Sequence, residues 1–297
     1  MPNSIAEKQN YPANLKLLQA SLQAYSHAKK GDNVIGFFFL FLAIAYPFAY
    51  TYFNNEVVQA VLLGISFIVT LLVEIMYNNL HANTDLGSIL KEAFDMAVLG
   101  LPIRKTSKLP DQMEVEILAD AYVKKHVHDN KTKDWYPINL SDKVPDLVKI
   151  AVCQKMNVGW GIELRKKYSQ LLIVTIIVYS ILLLFFLLYK DVKTSTGFTI
   201  SLAIAPFYTC FINQIRGHNT VVKKRKELSF LLDEIILREK QFDIYDLRDI
   251  QDEIGITRGE LAKVPDLYFK MTRAKIEDTF QHNYIAEVNN HYAILTQ

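Results

Sequence analysis

Four long runs of apolar residues constrain this 297-residue chain more than any other feature. Each run is 18 to 20 residues long, and Glu74 is the only Asp, Glu, Lys or Arg within them. Because a helix rises about 1.5 Å per residue, such a run covers the roughly 30 Å of hydrocarbon in a bilayer. Buried helices of a soluble protein are the alternative, but four such runs would need an implausibly large core. The sequence therefore predicts transmembrane helices at residues 35–53, 57–76, 171–189 and 198–215.

Short connections join these segments in pairs. Three residues separate the first segment from the second, and residues 190–197 separate the third from the fourth. Because so few residues cannot re-cross the bilayer, each pair is predicted to be a hairpin. The predicted fold is an all-α membrane protein with two hairpins and one helical cytoplasmic domain. The predicted divisions are an N-terminal helical segment at 1–34, the first hairpin at 35–76, a helical insert at 77–170, the second hairpin at 171–215 and a C-terminal helical region at 216–297.

The distribution of lysine and arginine predicts the orientation. The hairpin tips carry only Lys190 and Lys193, whereas the opposite ends of the segments carry many more basic residues. The basic residues at the opposite ends are Lys29, Lys30, Arg165, Lys166, Lys167, Arg216, Lys223, Lys224, Arg225 and Lys226. Since positive loops stay inside, both termini and the insert are predicted to be cytoplasmic. The net charge of +2 argues against a nucleic-acid polymer as partner.

The insert opens with an amphipathic helical pattern. Apolar residues between Leu86 and Leu101 follow the spacing of one helix face, while Lys91 and Asp95 fall on the polar face. Asn83 or Thr84 is predicted to cap its start, and Gly100 its end. Further helical patterns follow, and alternating strand patterns are absent from the sequence.

Catalytic and metal-binding motifs are absent from the sequence. It contains no P-loop, no HExxH and no GxSxG. The cysteines, Cys153 and Cys210, lie far apart and have no metal-ligand spacing. The chain is therefore predicted to be no enzyme, with no metal and no cofactor.

A few residues inside the membrane segments are candidates for a pore or a gate. Glu74 either reaches water at the inner interface or faces an ion path, because charge inside a membrane is costly. Pro47 and Pro206 each remove a backbone hydrogen bond inside a span, which gives a kink or a flexible point. Asn213 and Gln214 either line a polar passage or lie among lipid headgroups.

Several stretches in this order resemble the SMODS-associated four-transmembrane effectors. The stretches that carry the resemblance are EKQN at 7–10, FDMAVLGLP at 94–102, DWYP at 134–137, CQKMN at 153–157, LRKKY at 164–168 and IQDEI at 250–254. The resemblance covers nearly the whole chain. It implies a role in bacterial anti-phage immunity, in which a cyclic oligonucleotide from a cognate cyclase activates the effector and the inner membrane is permeabilised.

Residues near these stretches are candidates for ligand binding or coupling. Trp135 and Tyr136 can stack on bases, and Arg165 can meet a phosphate; Gln154 and Asn157 lie in the same motifs. The alternative is that they lock the insert against the membrane domain. Because four helices enclose little space, a pore is predicted to need a homo-oligomer in the lipid bilayer. An ion channel or transporter without an immune role and a membrane-anchored scaffold remain the alternative functions.

Overall fold

The structure is a computed structural model that describes residues 4–53, 55–105, 107–127, 132–136, 139–238, 240–260, 262–279 and 283–295. These residues contain helices and no strand. The helices are α1 (Ile5–Lys8), α2 (Pro12–Tyr52), α3 (Glu56–Leu99), α4 (Gln112–Lys125), α5 (Asp146–Tyr189), α6 (Thr194–Leu237), α7 (Ile244–Gly259), α8 (Asp266–Thr279) and α9 (Ile285–Leu295). The predicted all-α class is confirmed.

Four helices dominate the fold. α2 has 41 residues, and α3, α5 and α6 have 44 each. Each is long and apolar enough to cross a membrane. At about 1.5 Å per residue they span 60 Å or more, roughly twice the thickness of the hydrocarbon. The predicted four transmembrane helices are confirmed, and each continues well outside the bilayer.

The helices do not end where the apolar segments end. α3 runs unbroken through Asn83 and Thr84, so the prediction that one of these residues caps a new helix is wrong. Thr84 is instead buried in the middle of the helix. No proline or glycine separates the membrane segment from this region, so the backbone can continue while the side chains change from apolar to polar. α3 does end at Gly100, which adopts φ = 68°, as predicted.

Within the membrane-spanning half, α2 and α6 form the centre. One apolar cluster joins their buried faces, and α3 and α5 lie on the outside with many exposed apolar side chains. The buried members from α2 and α6 are Ile35, Phe39, Ala43, Tyr46, Tyr50, Ile200, Ala203, Ile204, Phe207 and Cys210. Exposed apolar faces of this kind are expected where lipid surrounds the helices.

Near each membrane proline, a side-chain hydroxyl of another helix donates a hydrogen bond to a backbone carbonyl. Pro47 cannot donate to the carbonyl of Ala43, and the Tyr179 hydroxyl of α5 donates to that oxygen at 2.6 Å. Near Pro206 of α6, Ser66 of α3 donates to the carbonyl of Ala203 at 2.8 Å. Each proline therefore lies where another helix is attached.

The remaining parts of the long helices form a helical body outside the membrane segments, together with the short helices. Its main core combines the N-terminal part of α2 and α5 with the C-terminal part of α3 and α6, and with α7 and α9. α4 packs on α2 through a smaller cluster. The body thus holds all four long helices by their ends outside the membrane segments.

Candidate functional site

One buried carboxylate organises the polar interior of the body. Asp95, near the C-terminal end of α3, has no exposed surface. Its Oδ1 accepts hydrogen bonds from the Tyr136 hydroxyl at 2.6 Å and from Lys91. Its Oδ2 accepts a hydrogen bond from Gln251 at 3.1 Å and pairs with Arg258 at 2.7 Å. The carboxylate thus joins α3, α7 and the segment 132–136.

Two amide side chains of α5 extend this arrangement. Asn157 donates to the Tyr136 hydroxyl at 2.7 Å. Gln154 is fully buried and donates to Gln251 at 3.2 Å and to the carbonyl of Leu247 at 2.7 Å. Because each bond crosses between elements, the side chains fix how α5 packs against α7. We call the following side chains the Asp95 network: Lys91, Asp95, Tyr136, Gln154, Asn157, Gln251 and Arg258.

The charges in this network are unequal. Burial alone would raise the pKa of Asp95, but the charges of Arg258 and Lys91 and its hydrogen bonds hold that pKa below its usual value. Burial lowers the pKa of Lys91 to about 8, although Asp95 acts in the opposite direction. The charge of the Asp95 carboxylate therefore compensates only part of the positive charge of Lys91 and Arg258.

The segment 132–136 is held by the start of the chain. The side chain of Gln9 accepts a hydrogen bond from the backbone N–H of Tyr136 at 2.7 Å and donates to its carbonyl at 3.4 Å. Asn10 donates to the carboxylate of Asp134 at 2.8 Å. Two of the sequence stretches singled out above therefore meet in space.

A second polar cluster lies nearer the membrane segments. Arg165 of α5 donates to the carbonyl of Ala262 at 2.6 Å and to Nδ1 of His218 at 3.1 Å. Lys263 donates to the carbonyls of Arg258, at 3.1 Å, and Glu260. Burial lowers the pKa of Arg165 to about 10 and that of Lys263 well below its usual value. The hydrogen bonds that Arg165 and Lys263 donate therefore go to neutral acceptors.

Arg225 of α6 connects the two clusters. It donates to the Thr257 hydroxyl at 3.0 Å and to the carbonyl of Asn157 at 3.1 Å. Burial and the charges of Arg165 and Arg258 lower its pKa to about 9. We call Arg165, Arg225 and Lys263 the cation cluster.

Gly161 of α5 makes room for the Arg225 side chain. A Cβ added at Gly161 would lie 1.8 Å from the nearest guanidinium nitrogen of Arg225. Any larger residue would displace this guanidinium, so the glycine permits the position that Arg225 adopts against α5.

The sequence matches the family model described as the SMODS-associating 4TM effector domain over residues 3–286. The chain belongs to this family. Curated proteins and solved structures gave no match. Family membership makes the chain a membrane effector, in agreement with its four apolar helices.

In this 4TM effector, the predicted ligand or coupling residues are close in space. Tyr136, Gln154 and Asn157 belong to the Asp95 network, and Arg165 to the cation cluster. Trp135 is partly buried, and its ring lies 5.1 Å from the Lys91 ammonium. Tyr136 and Gln154 have 1% and 0% of their surface exposed, so neither is open to a ligand in this conformation. Their roles in ligand binding or coupling stay predictions.

The predicted pore or gating residues lie apart. Glu74 is exposed on the outer face of α3 and does not point into the four-helix bundle of one chain. Gln214 donates to the carboxylate of Asp32 at 2.6 Å, while Asn213 is exposed. Pro47 and Pro206 lie inside α2 and α6.

The centre of the polar interior was not predicted from the sequence. The helical pattern places Lys91 and Asp95 on a polar outer face, but both are buried because α7 and the segment 132–136 cover that face. Gln251 and Lys263 were not identified as candidates, and Arg225 was named only as one of the basic residues beside the membrane. The spacing of Lys91 and Asp95 at i and i+4 is the available signal, since it allows an ion pair that can be buried.

Proposed function

We propose that the chain permeabilises the bacterial inner membrane when a nucleotide second messenger, a cyclic oligonucleotide from a cognate cyclase, activates it. Family membership supports the effector role. The proposal also rests on the absence of catalytic motifs from the sequence, which leaves membrane disruption as the simplest effect.

The observation that carries the proposal is the continuity of the four long helices. α2, α3, α5 and α6 pass unbroken from the apolar segments into the body. There the Asp95 network and the cation cluster join α3, α5 and α6 to α7, and α2 packs against α3 and α6. Since a continuous helix is stiff, a shift of its outer end is transmitted to the end in the bilayer. A ligand that repacks the body would therefore rearrange the hairpins.

The ligand must discriminate between two conformations of the body. Moving a population from 1% to 99% open needs a difference in binding free energy of about 5.5 kcal/mol between the two states. Two or more charge-assisted hydrogen bonds made in one state only supply a free energy of this order.

The open form is proposed to be a homo-oligomer. In a single chain the α2–α6 interface is filled with apolar side chains, whereas α3 and α5 have exposed faces. A water path is therefore easier to form between copies than within one. The basic residues beside the segments favour a cytoplasmic body with both termini inside.

Dye release from proteoliposomes tests the proposal. The purified chain is reconstituted with a trapped dye, and cyclic dinucleotides and trinucleotides are added one at a time. Release that requires one of these nucleotides supports the proposal. Ion flux without any nucleotide indicates a channel or transporter, and the absence of flux under all conditions indicates a scaffold that recruits a partner.

A further inference from the structure

The body buries more positive than negative charge beside the membrane segments. Arg165, Arg225 and Lys263 have 9%, 7% and 6% of their surfaces exposed. Among the described residues, no carboxylate lies within 4 Å of their side-chain nitrogens, although the charges of Asp32 and Glu260 act on Lys263 and Arg165 from further away. Buried cations are normally paired with anions, so this cluster lacks its usual complement.

His218, which contacts Arg165, carries a hydrogen-bond donor that has no acceptor. It is fully buried, and burial together with the charge of Arg165 lowers its pKa to about 3, so the ring is neutral. Because a guanidinium can only donate, the Nδ1 atom that contacts Arg165 is the acceptor. The proton is then on Nε2, which has no hydrogen-bond partner.

Neutral carbonyls now occupy the positions around these donors. The carbonyl of Arg258, in the last turn of α7, and those of Glu260 and Ala262, just after the helix, accept hydrogen bonds from Arg165 and Lys263. An anion would satisfy the same donors better than a carbonyl does, because hydrogen bonds between ions are shorter and stronger. It would have to displace the segment around Ala262.

We propose that Arg165, Arg225, Lys263 and the Nε2–H of His218 form a binding site for the phosphate of a nucleotide or of a lipid headgroup. For a nucleotide, this inference rests on the proposed function. The segment around Ala262 must move for the phosphate to enter, so the ligand binds the rearranged conformation more tightly. This difference in affinity is what a ligand needs in order to shift a conformational equilibrium.

The site is placed to act on the membrane helices. Arg165 lies six residues before the third apolar segment, or about 9 Å of helix. The segment around Ala262 leads into α8, where Asp266 pairs with Lys29 of α2 at 2.7 Å. Movement of this segment therefore pulls on α2 and breaks the contacts that the segment makes with α5 and α6.

Binding to the full-length protein tests the site. The protein in detergent is titrated with cyclic dinucleotides, cyclic trinucleotides and inorganic pyrophosphate, and lipid is tested in nanodiscs with and without phosphatidylglycerol. Arg225→Gln and Lys263→Gln each remove one cation of the cluster. Lys223→Gln is the matched control, because Lys223 is exposed on α6 two residues from Arg225.

We expect the dissociation constant of the phosphate probe that binds to rise at least about tenfold in both cluster variants and less than about twofold in Lys223→Gln. Dependence of nucleotide binding on the cluster identifies the messenger as the source of the phosphate, and dependence of phosphatidylglycerol binding identifies the headgroup. Equal binding in all variants, or no binding of any probe to the unmodified protein, overturns the site.

Two further measurements keep the outcomes distinct. If a cluster variant does not fold, hydrogen exchange of the unmodified protein replaces it: the bound probe must change the exchange of Ala262, Lys263 and Val264, and unchanged exchange overturns the site. Nucleotide-dependent dye release that persists in the folded cluster variants excludes the nucleotide as the occupant of the site but leaves the proposed function standing. Cluster-dependent lipid binding without dye release contradicts only the proposed function.

Discussion

At the scale of single residues, Asp95 controls the packing of the body. It is fully buried, and four side chains donate to its two oxygens, so none of its acceptor positions depends on water. Removing its charge leaves Lys91 and Arg258 buried with only neutral partners. Loss of one partner from a buried ion pair is more costly than replacement of the whole pair by apolar residues.

We predict that Asp95→Asn lowers the free energy of unfolding by about 3–5 kcal/mol. Thermal unfolding in detergent, followed by tryptophan fluorescence, measures the change, because Trp135 lies beside Lys91. Asp85→Asn is the control, since Asp85 is exposed on the same helix and should be nearly neutral. Equal melting temperatures for the two variants would contradict this role of Asp95.

Asp32 gives the protein a predicted pH dependence. Burial raises its pKa to about 7, although the hydrogen bond from Gln214 and the charge of Lys263 act in the opposite direction. The folded chain therefore binds a proton at Asp32 between about pH 4 and 7 that the unfolded chain has released, so stability falls as pH rises through this range.

Asp32→Asn should remove the contribution of Asp32 to the pH dependence of the free energy of unfolding. This contribution has an upper limit of about 1.4 kcal/mol per pH unit. Melting temperatures of both proteins between pH 5 and 8 measure it. We expect the variant to be the more stable one at pH 8. A decline with pH that is equally steep in both proteins would assign the slope to other groups.

At the scale of elements, Pro47 and Tyr179 act as a pair. The proline frees the carbonyl of Ala43 on α2, and the Tyr179 hydroxyl of α5 satisfies it at 2.6 Å. An unsatisfied carbonyl in hydrocarbon is costly, so the proline and the contact between the hairpins depend on each other.

A double-mutant cycle tests this pair. Tyr179→Phe alone should lower stability by about 0.5–1.5 kcal/mol. In the Pro47→Ala background the backbone N–H of residue 47 can bond to Ala43, so the same change should have a smaller effect. Unfolding in detergent micelles gives the four free energies, and additive effects would show that the two residues are independent.

The long helices were predictable only in part. Length and hydropathy are local properties, so the four segments and two hairpins could be predicted from sequence alone. The continuation of α3 past Thr84 was not predicted, because a good N-cap residue was interpreted as a helix start although the backbone can also continue there. The burial of Asp95 depends on α7, more than 150 residues away in the chain, and no local pattern reports such a contact.

At the scale of the whole molecule, the exposed faces of α3 and α5 raise the question of what covers them. Apolar side chains such as Phe67 and Phe185 need only lipid, but Glu74 on the exposed face of α3 is costly in hydrocarbon unless it reaches water or another polar surface. A second copy of the chain, with water between the copies, satisfies both requirements. We therefore expect the α3 face to be the contact between copies in the open form.

Cysteine cross-linking tests this contact, because Cys153 and Cys210 are both buried and should not react. We predict that Glu74→Cys forms disulfide-linked dimers in proteoliposomes under the conditions that release dye, and few dimers without them. Val73→Cys is the matched control, since the neighbouring Val73 has only 7% of its surface exposed. Gel electrophoresis without reductant measures the dimer fraction. Dye release by Glu74→Cys without dimers, or equal dimer fractions in both variants, would mean that the copies meet through another face, and the exposed face of α5 would be the next to test.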